Sequence, residues 1–134
     1  MAQRDYAAPN FSIDTHHGIV YVDLPGVTSL ESLFDAVRRL MADLRWSPTF
    51  DVLVECRPCN EGSERWMVPT LARLWRLLPE DLFLGRCAIL ADWPDAYERA
   101  LTLEALCQGS ARDLRAFRSP AAAIAWLEAA HVPV

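Results

Sequence analysis

The sharpest chemical motif in the chain is a pair of cysteines two residues apart, Cys56 and Cys59. A Cys-x-x-Cys pair between a strand and a helix is typical of thiol oxidoreductases, because the helix N-terminus lowers a thiol pKa. The predicted helix begins only at or after Ser63, too far along the chain for its dipole to act on Cys59. Redox chemistry is therefore one hypothesis and incidental loop thiols are the other. No second such pair exists to complete a zinc site, and Cys87 and Cys107 fall inside apolar segments that predict burial.

Two carboxylates, Glu55 and Asp92, each follow a predicted parallel strand at its carboxyl end. Ligands of open α/β sheets bind at this edge, and paired carboxylates there could do acid–base work. Carboxylates that cap turns or helix N-termini are the alternative. No Ser–His or Cys–His partner can be placed beside them, and the 5 glycines form no phosphate-binding loop. We therefore predict no catalytic residue and no cofactor.

Aromatic and basic residues gather near the same predicted edge. Trp66 and Trp93 follow consecutive strands and could share one rim with Arg57, Arg65 and Asp92. Exposed tryptophans are frequent at binding hot spots, although each could instead cover an end of the core. The rim predicts a surface for a protein partner or a small ligand.

Two adjacent histidines, His16 and His17, lie at a predicted hairpin tip. Neighbouring side chains on a strand point to opposite faces, so this pair predicts solvated turn residues and no metal site.

The composition is that of one globular domain. The chain has 134 residues, 52% of them hydrophobic and 23% charged, which excludes intrinsic disorder. The net charge of -5, with scattered arginines as the basic residues, argues against nucleic acid as a partner. No apolar run is long enough to cross a bilayer and the N-terminus has no signal-peptide pattern, so a cytoplasmic location is expected.

Strand and helix periods alternate along the chain. Residues 1–10 are predicted to form a loose arm, and residues 11–130 are predicted to form a single domain. Strands are predicted at 11–14, 19–24, 50–56, 87–91 and 114–117. Four helices are predicted from apolar stripes that run from Leu30 to Leu44, from Leu71 to Leu78, from Ala96 to Cys107 and from Ala121 to Ala130. The order β-β-α-β-α-β-α-β-α predicts a five-stranded, mixed but mainly parallel sheet with one antiparallel edge strand.

Helix boundaries are marked by capping residues. Thr28 and Glu31 fit a capping box that would start the first helix. Ser119 followed by Pro120 predicts the start of the last helix.

Two stretches of sequence resemble a known family. The stretches are Phe11–Asp14 with Gly18–Val22, Gly26–Glu31, Leu44 and Phe50–Glu55, and then Cys87–Asp92 with Gly109, Arg115–Phe117 and Ala123–Leu127. Over residues 11–127 the chain is similar to the STAS-like, or SpoIIAA-like, family of small bacterial proteins, close to the anti-sigma-factor antagonists. The resemblance implies the α/β fold of that family and a regulatory role through protein binding.

The family's regulatory members carry a phosphorylatable serine in an Asp-Ser-Ser-Gly-like turn after the third strand. Residues 55–66 of this chain contain no such turn, and Ser63 is the phosphorylation candidate that lies in that neighbourhood. Glu61 and Glu64 would repel a phosphate there unless Arg57 or Arg65 compensates.

Together these features predict a non-enzymatic regulatory or protein-interaction module that uses residues 57–66 and the rim around Asp92 and Trp93. One alternative is a small apolar-ligand or lipid-binding protein, with a cavity between the 71–78 and 96–107 helices. The other is a thiol oxidoreductase that uses Cys56 and Cys59. The chain is expected to be a monomer or a homodimer, in which the edge strand of the hairpin could pair.

Overall fold

A computed structural model of the chain describes residues 9–25, 29–56, 67–92, 94–108 and 113–129. The strands in these ranges are β1 (Asn10–Asp14), β2 (Ile19–Leu24), β3 (Asp51–Cys56), β4 (Cys87–Leu90) and β5 (Leu114–Phe117). The helices in these ranges are α1 (Leu30–Met41), α2 (Met67–Leu77), α3 (Pro94–Leu106) and α4 (Pro120–Ala129). The predicted α/β class, with a mixed, mostly parallel sheet, is confirmed.

The five strands lie side by side in their sequence order. β1 runs antiparallel to β2, and every later pair is parallel. The hairpin turns at Gly18, whose φ of 67° suits glycine and whose N–H donates to the carbonyl of Asp14 at 2.8 Å. Each right-handed crossover then moves one strand in the same direction, which puts α1, α2 and α3 on one face of the sheet.

Two apolar cores follow from this topology. The larger one fills the space between the sheet and α1–α3 and includes Val20, Val52, Ile89 and Leu103. The smaller one lies on the opposite face, where α4 packs on the sheet through residues that include Ala123 and Leu127. β4 lies at the centre of both cores, and all four of its side chains are buried, as its continuous apolar run predicts.

Helix α1 begins one residue later than the capping pattern predicts. Its N-cap is Ser29, whose hydroxyl accepts a hydrogen bond from the N–H of Ser32 at 3.1 Å. The predicted N-cap, Thr28, lies outside the described residues, and Glu31 occupies the first turn without being the capping partner. Thr28 and Ser29 are adjacent hydroxyl residues that can both cap a helix, and the observed cap is serine, the more favourable of the two types.

Helix α1 also ends earlier than its apolar stripe predicts. The helix stops at Met41, and Leu44 is fully exposed, so the prediction that Leu44 belongs to the buried stripe is wrong. Asp43 explains the stop, because its carboxylate accepts hydrogen bonds from the backbone N–H of Arg45 at 3.0 Å and from the Arg45 guanidinium at 2.7 Å. Such a local side-chain turn competes with continuation of the helix.

The remaining helices follow their sequence signals. The α3 stripe predicted from Ala96 to Cys107 is buried on every turn, and Pro69 occupies the first turn of α2. Ser119 caps α4 by accepting a hydrogen bond from the N–H of Ala122 at 3.3 Å. These three helices therefore dock on the faces that their periodicity indicates.

A buried carboxylate fixes the loop before β4. Asp51 is only 1% exposed, and its Oδ1 accepts a hydrogen bond from the N–H of Arg86 at 2.8 Å. A Cβ atom at Gly85 would lie 2.5 Å from the Phe50 carbonyl oxygen and 2.7 Å from the same Oδ1. The loop can approach β3 this closely because residue 85 has no side chain.

Candidate functional site

Most of the predicted site residues cannot be placed by the structure. Cys59, Arg57, Ser63, Arg65, Trp66 and Trp93 lie outside the described residues. Asp92 is exposed just beyond β4, at the edge of the sheet where the sequence predicts it. The rim of arginine and tryptophan side chains therefore stays a prediction.

Cys56, the described member of the cysteine pair, is buried. It closes β3 and is 5% exposed within the core beneath α1–α3. Cys87 and Cys107 are buried in the same core, as their apolar surroundings predict. Burial limits the access of an external thiol or disulfide to the Cys56 sulfur.

The described tryptophans pack against apolar side chains. Trp75 is buried in α2, and Trp46 contacts Phe83 with 5.9 Å between ring centroids. Trp126 lies on α4, where its ring is tilted against that of Phe117 at 5.5 Å. The guanidinium groups of Arg86 and Arg115 also lie over the Trp126 ring, at 4.8 and 5.3 Å from its centroid. These three tryptophans pack against the apolar cores.

An apolar cavity of about 120 Å³ lies between the sheet and the helices α1 and α2. The sheet side is formed by residues of all five strands, among them Val22, Val54 and Ile89. The helix side is formed by Leu33, Ala36, Val37 and Leu40 of α1 and by Leu71, Leu74, Trp75 and Leu78 of the α2 segment. Every described residue that lines the cavity is apolar.

Some of the lining side chains are short. They include Val22, Val54 and Cys87 of the sheet and Ala36 of α1. Protein interiors are packed to crystal-like density and contain few spaces larger than a water molecule. Ordinary side-chain packing therefore does not account for a wholly apolar cavity of this size.

The cavity lies elsewhere than between the 71–78 and 96–107 helices, where a closed cavity would favour the apolar-ligand alternative. Helix α3 contributes only Leu103 among the described lining residues. The stripe that contains Leu33, Val37 and Leu40 predicts core positions on α1 but no cavity beside them. The pattern shows which side chains face inward but carries no information on whether they fill the space.

A second, polar cleft lies on the opposite face near the hairpin tip and is lined by His16, His17, Ile19, Asp51, Leu127 and Glu128. The His17 Nδ1 atom lies 2.8 Å from the Asp14 carboxylate, and these hydrogen bonds hold the pKa of Asp14 below its usual 3.8. Within the described ranges, no group of three or more His, Cys, Asp or Glu residues could hold a metal ion. The His17 side chain contacts Asp14 in the hairpin, and the Asp51 carboxylate contacts the loop before β4.

Comparison of the chain with family models, curated proteins and solved structures finds no match. Among the helices that the structure describes, none has both the length and the apolarity needed to cross a membrane.

Proposed function

We propose that the protein binds a small, neutral, apolar ligand in the cavity between the sheet and the helices α1 and α2. The observation that carries the proposal is the cavity of about 120 Å³ whose described lining is entirely apolar. The known preference of ligand pockets for apolar walls also supports it.

The size of the cavity limits the ligand. An apolar cavity of about 150 Å³ lined by Leu, Ile and Phe stays dry and binds benzene. At about 120 Å³, the present cavity suits a single ring or a short branched alkyl group. A whole lipid exceeds this volume, so the proposal concerns a small ligand or the apolar end of a larger one.

The chemistry of the lining limits the ligand further. Burial of apolar ligand surface contributes roughly 25 cal/mol per Å². A carboxylate or ammonium group would lose its hydration and find no partner among the described lining residues, at a cost of several kcal/mol. The cavity therefore selects neutral ligands over charged ones of the same shape.

A matched pair of probes tests this proposal. We expect benzene to cause saturable shifts in the methyl NMR signals of Leu33, Val54 and Leu103, since these residues line the cavity. Benzoate, which adds one charge to the same ring, is expected to leave these signals unchanged. Equal responses to both probes, or no saturable response to benzene, would refute the proposal.

A regulatory protein-interaction role of the STAS-like kind is a second proposal. It is favoured by exposed carboxylates at the carboxyl ends of β3 and β4, Glu55 and Asp92. Asp92→Arg reverses one of these charges and should weaken a complex formed at this edge. A partner captured equally well by the wild-type chain and this variant would argue against the edge as its binding surface.

A further inference from the structure

Strand β1 forms one edge of the described sheet. It pairs with β2 over its whole length, and its other side has no neighbouring strand within the described ranges. Phe11 and Ile13 alternate with Asn10, Ser12 and Asp14, so apolar and polar side chains point to opposite faces. Phe11 and Ile13 are half-buried beside the larger core. A strand added at this edge could hydrogen-bond to the β1 backbone and pack against the side chains of Phe11 and Ile13.

The two edges of the sheet differ in their protection. Natural edge strands avoid pairing through short length, basic side chains, proline or bulges. β5 has four residues with Arg115 among them, and Arg118 follows it directly. β1 has five residues without a basic residue or a proline among them, and its pairing with β2 has no bulge. Pro9 directly precedes it, and Arg39 of α1 reaches the Pro9 carbonyl. Of the two edges, β1 has the longer strand and no basic residue within it.

We infer that β1 pairs antiparallel with β1 of a second copy of the chain, about a twofold axis at Ser12. This register aligns all five residues of both strands. Phe11 then faces Ile13 of the other copy, an aromatic and β-branched pair that stabilises antiparallel sheets. Asn10 faces Asp14, so an amide donor meets a carboxylate acceptor and no like charges are opposed. Registers centred on Phe11 or Ile13 align fewer residues.

Helix α1 lies over this edge and suits the same symmetry. The Arg39 guanidinium donates to the Pro9 carbonyl at 3.4 Å and lies 5.9 Å from the centre of the Phe11 ring. The twofold axis of an antiparallel pair is perpendicular to the sheet, so both copies of α1 fall on the same face. Asp35 and Arg38 of α1 are exposed and form an ion pair with each other at 3.3 Å within one copy, so the charges of this part of the helix are largely balanced before any contact with a second copy.

Two lysine substitutions on the same face of β1 test the register. Ser12→Lys places two lysines directly opposite each other, and we expect the dissociation constant of the dimer to rise about fivefold. Asn10→Lys places each lysine opposite Asp14 of the other copy, so dimerisation should be retained or strengthened. Sedimentation equilibrium of the full chain measures both effects, and circular dichroism verifies the fold. A wild-type chain that stays at 15.1 kDa, or equal effects of the two lysines, would overturn the inference.

Cysteine cross-linking gives an independent measurement in case a lysine variant does not fold. In a Cys59→Ser background the other three native cysteines are buried. Ser12→Cys should form a disulfide between copies, because residues opposite each other have Cα atoms about 5 Å apart. Asn10→Cys should not, because its two copies would lie about 14 Å apart. Equal cross-linking of both variants, or none of either, would contradict the register.

Discussion

At the residue scale, Gly85 shows how the absence of a side chain allows the loop before β4 to lie close to the start of β3. A Cβ at this position would press on the Phe50 carbonyl and on the buried Asp51 carboxylate, neither of which can yield without moving β3. We expect Gly85→Ala to lower the free energy of unfolding by about 2 kcal/mol, measured by urea denaturation.

Gly18 provides the control for this prediction. Its φ of 67° favours glycine, but an added Cβ would meet only the Phe50 ring, at 3.4 Å. Asn tolerates this backbone region better than Ala, so Gly18→Asn should recover stability relative to Gly18→Ala. No such recovery is expected for Gly85→Asn. If Gly85→Ala is as stable as the wild-type chain, the proposed clash is wrong.

The turn after α1 makes a pH-dependent prediction at the same scale. Hydrogen bonds from Arg45 to Asp43 lower the pKa of this carboxyl from 3.8 to about 2. Because the folded-state pKa is lowered, the ionised carboxylate stabilises the fold above about pH 3.8. That contribution is lost as the pH falls through about 2. Arg45→Gln should return the Asp43 pKa toward 3.8 in an NMR titration, whereas Arg115→Gln on β5 should not. An Asp43 pKa near 3.8 in the wild-type chain would show that the turn does not form.

At the element scale, the first turn of α1 depends on one hydroxyl. Ser29→Ala removes the acceptor for the Ser32 N–H and should destabilise the protein by about 1 kcal/mol. Ser29→Asp keeps an acceptor at the N-cap and should retain the stability. Thermal unfolding of the two variants measures the difference. Equal losses for Ala and Asp would mean that Ser29 does not act as the cap.

The helices and strands also show which structural features a sequence pattern can predict. The continuous apolar run of β4 and the stripe of α3 predicted both elements and their buried faces, because each signal is local and repeated. The end of α1 was missed because the turn at Asp43 depends on a single side chain that interrupts an otherwise regular apolar period. The sequence pattern does not predict the position of the cavity, because its existence depends on side-chain volumes that several strands and helices bring together.

At the scale of the whole molecule, the sequential strand order distributes the helices unequally over the two faces of the sheet. α1–α3 share one face, and α4 alone packs on the other. The apolar cavity therefore lies in the thicker layer, lined by elements far apart in the chain. The polar cleft and the hairpin tip lie on the side of α4. A ligand in the cavity would contact the sheet and α1 and α2 at once, and its binding should stabilise the whole fold.

The most direct measurement is the affinity for benzene of two variants that carry the same substitution. Ala36→Leu in α1 fills the cavity from its helix side, and Ala125→Leu adds the same group at an exposed position on α4. We predict that Ala36→Leu lowers the affinity for benzene by at least about tenfold while the protein stays folded. The reason is that the cavity cannot hold both the leucine side chain and benzene. Ala125→Leu should bind as the wild-type chain does. Unchanged affinity in Ala36→Leu, or equal losses in both variants, would contradict the assignment of the cavity as the ligand site.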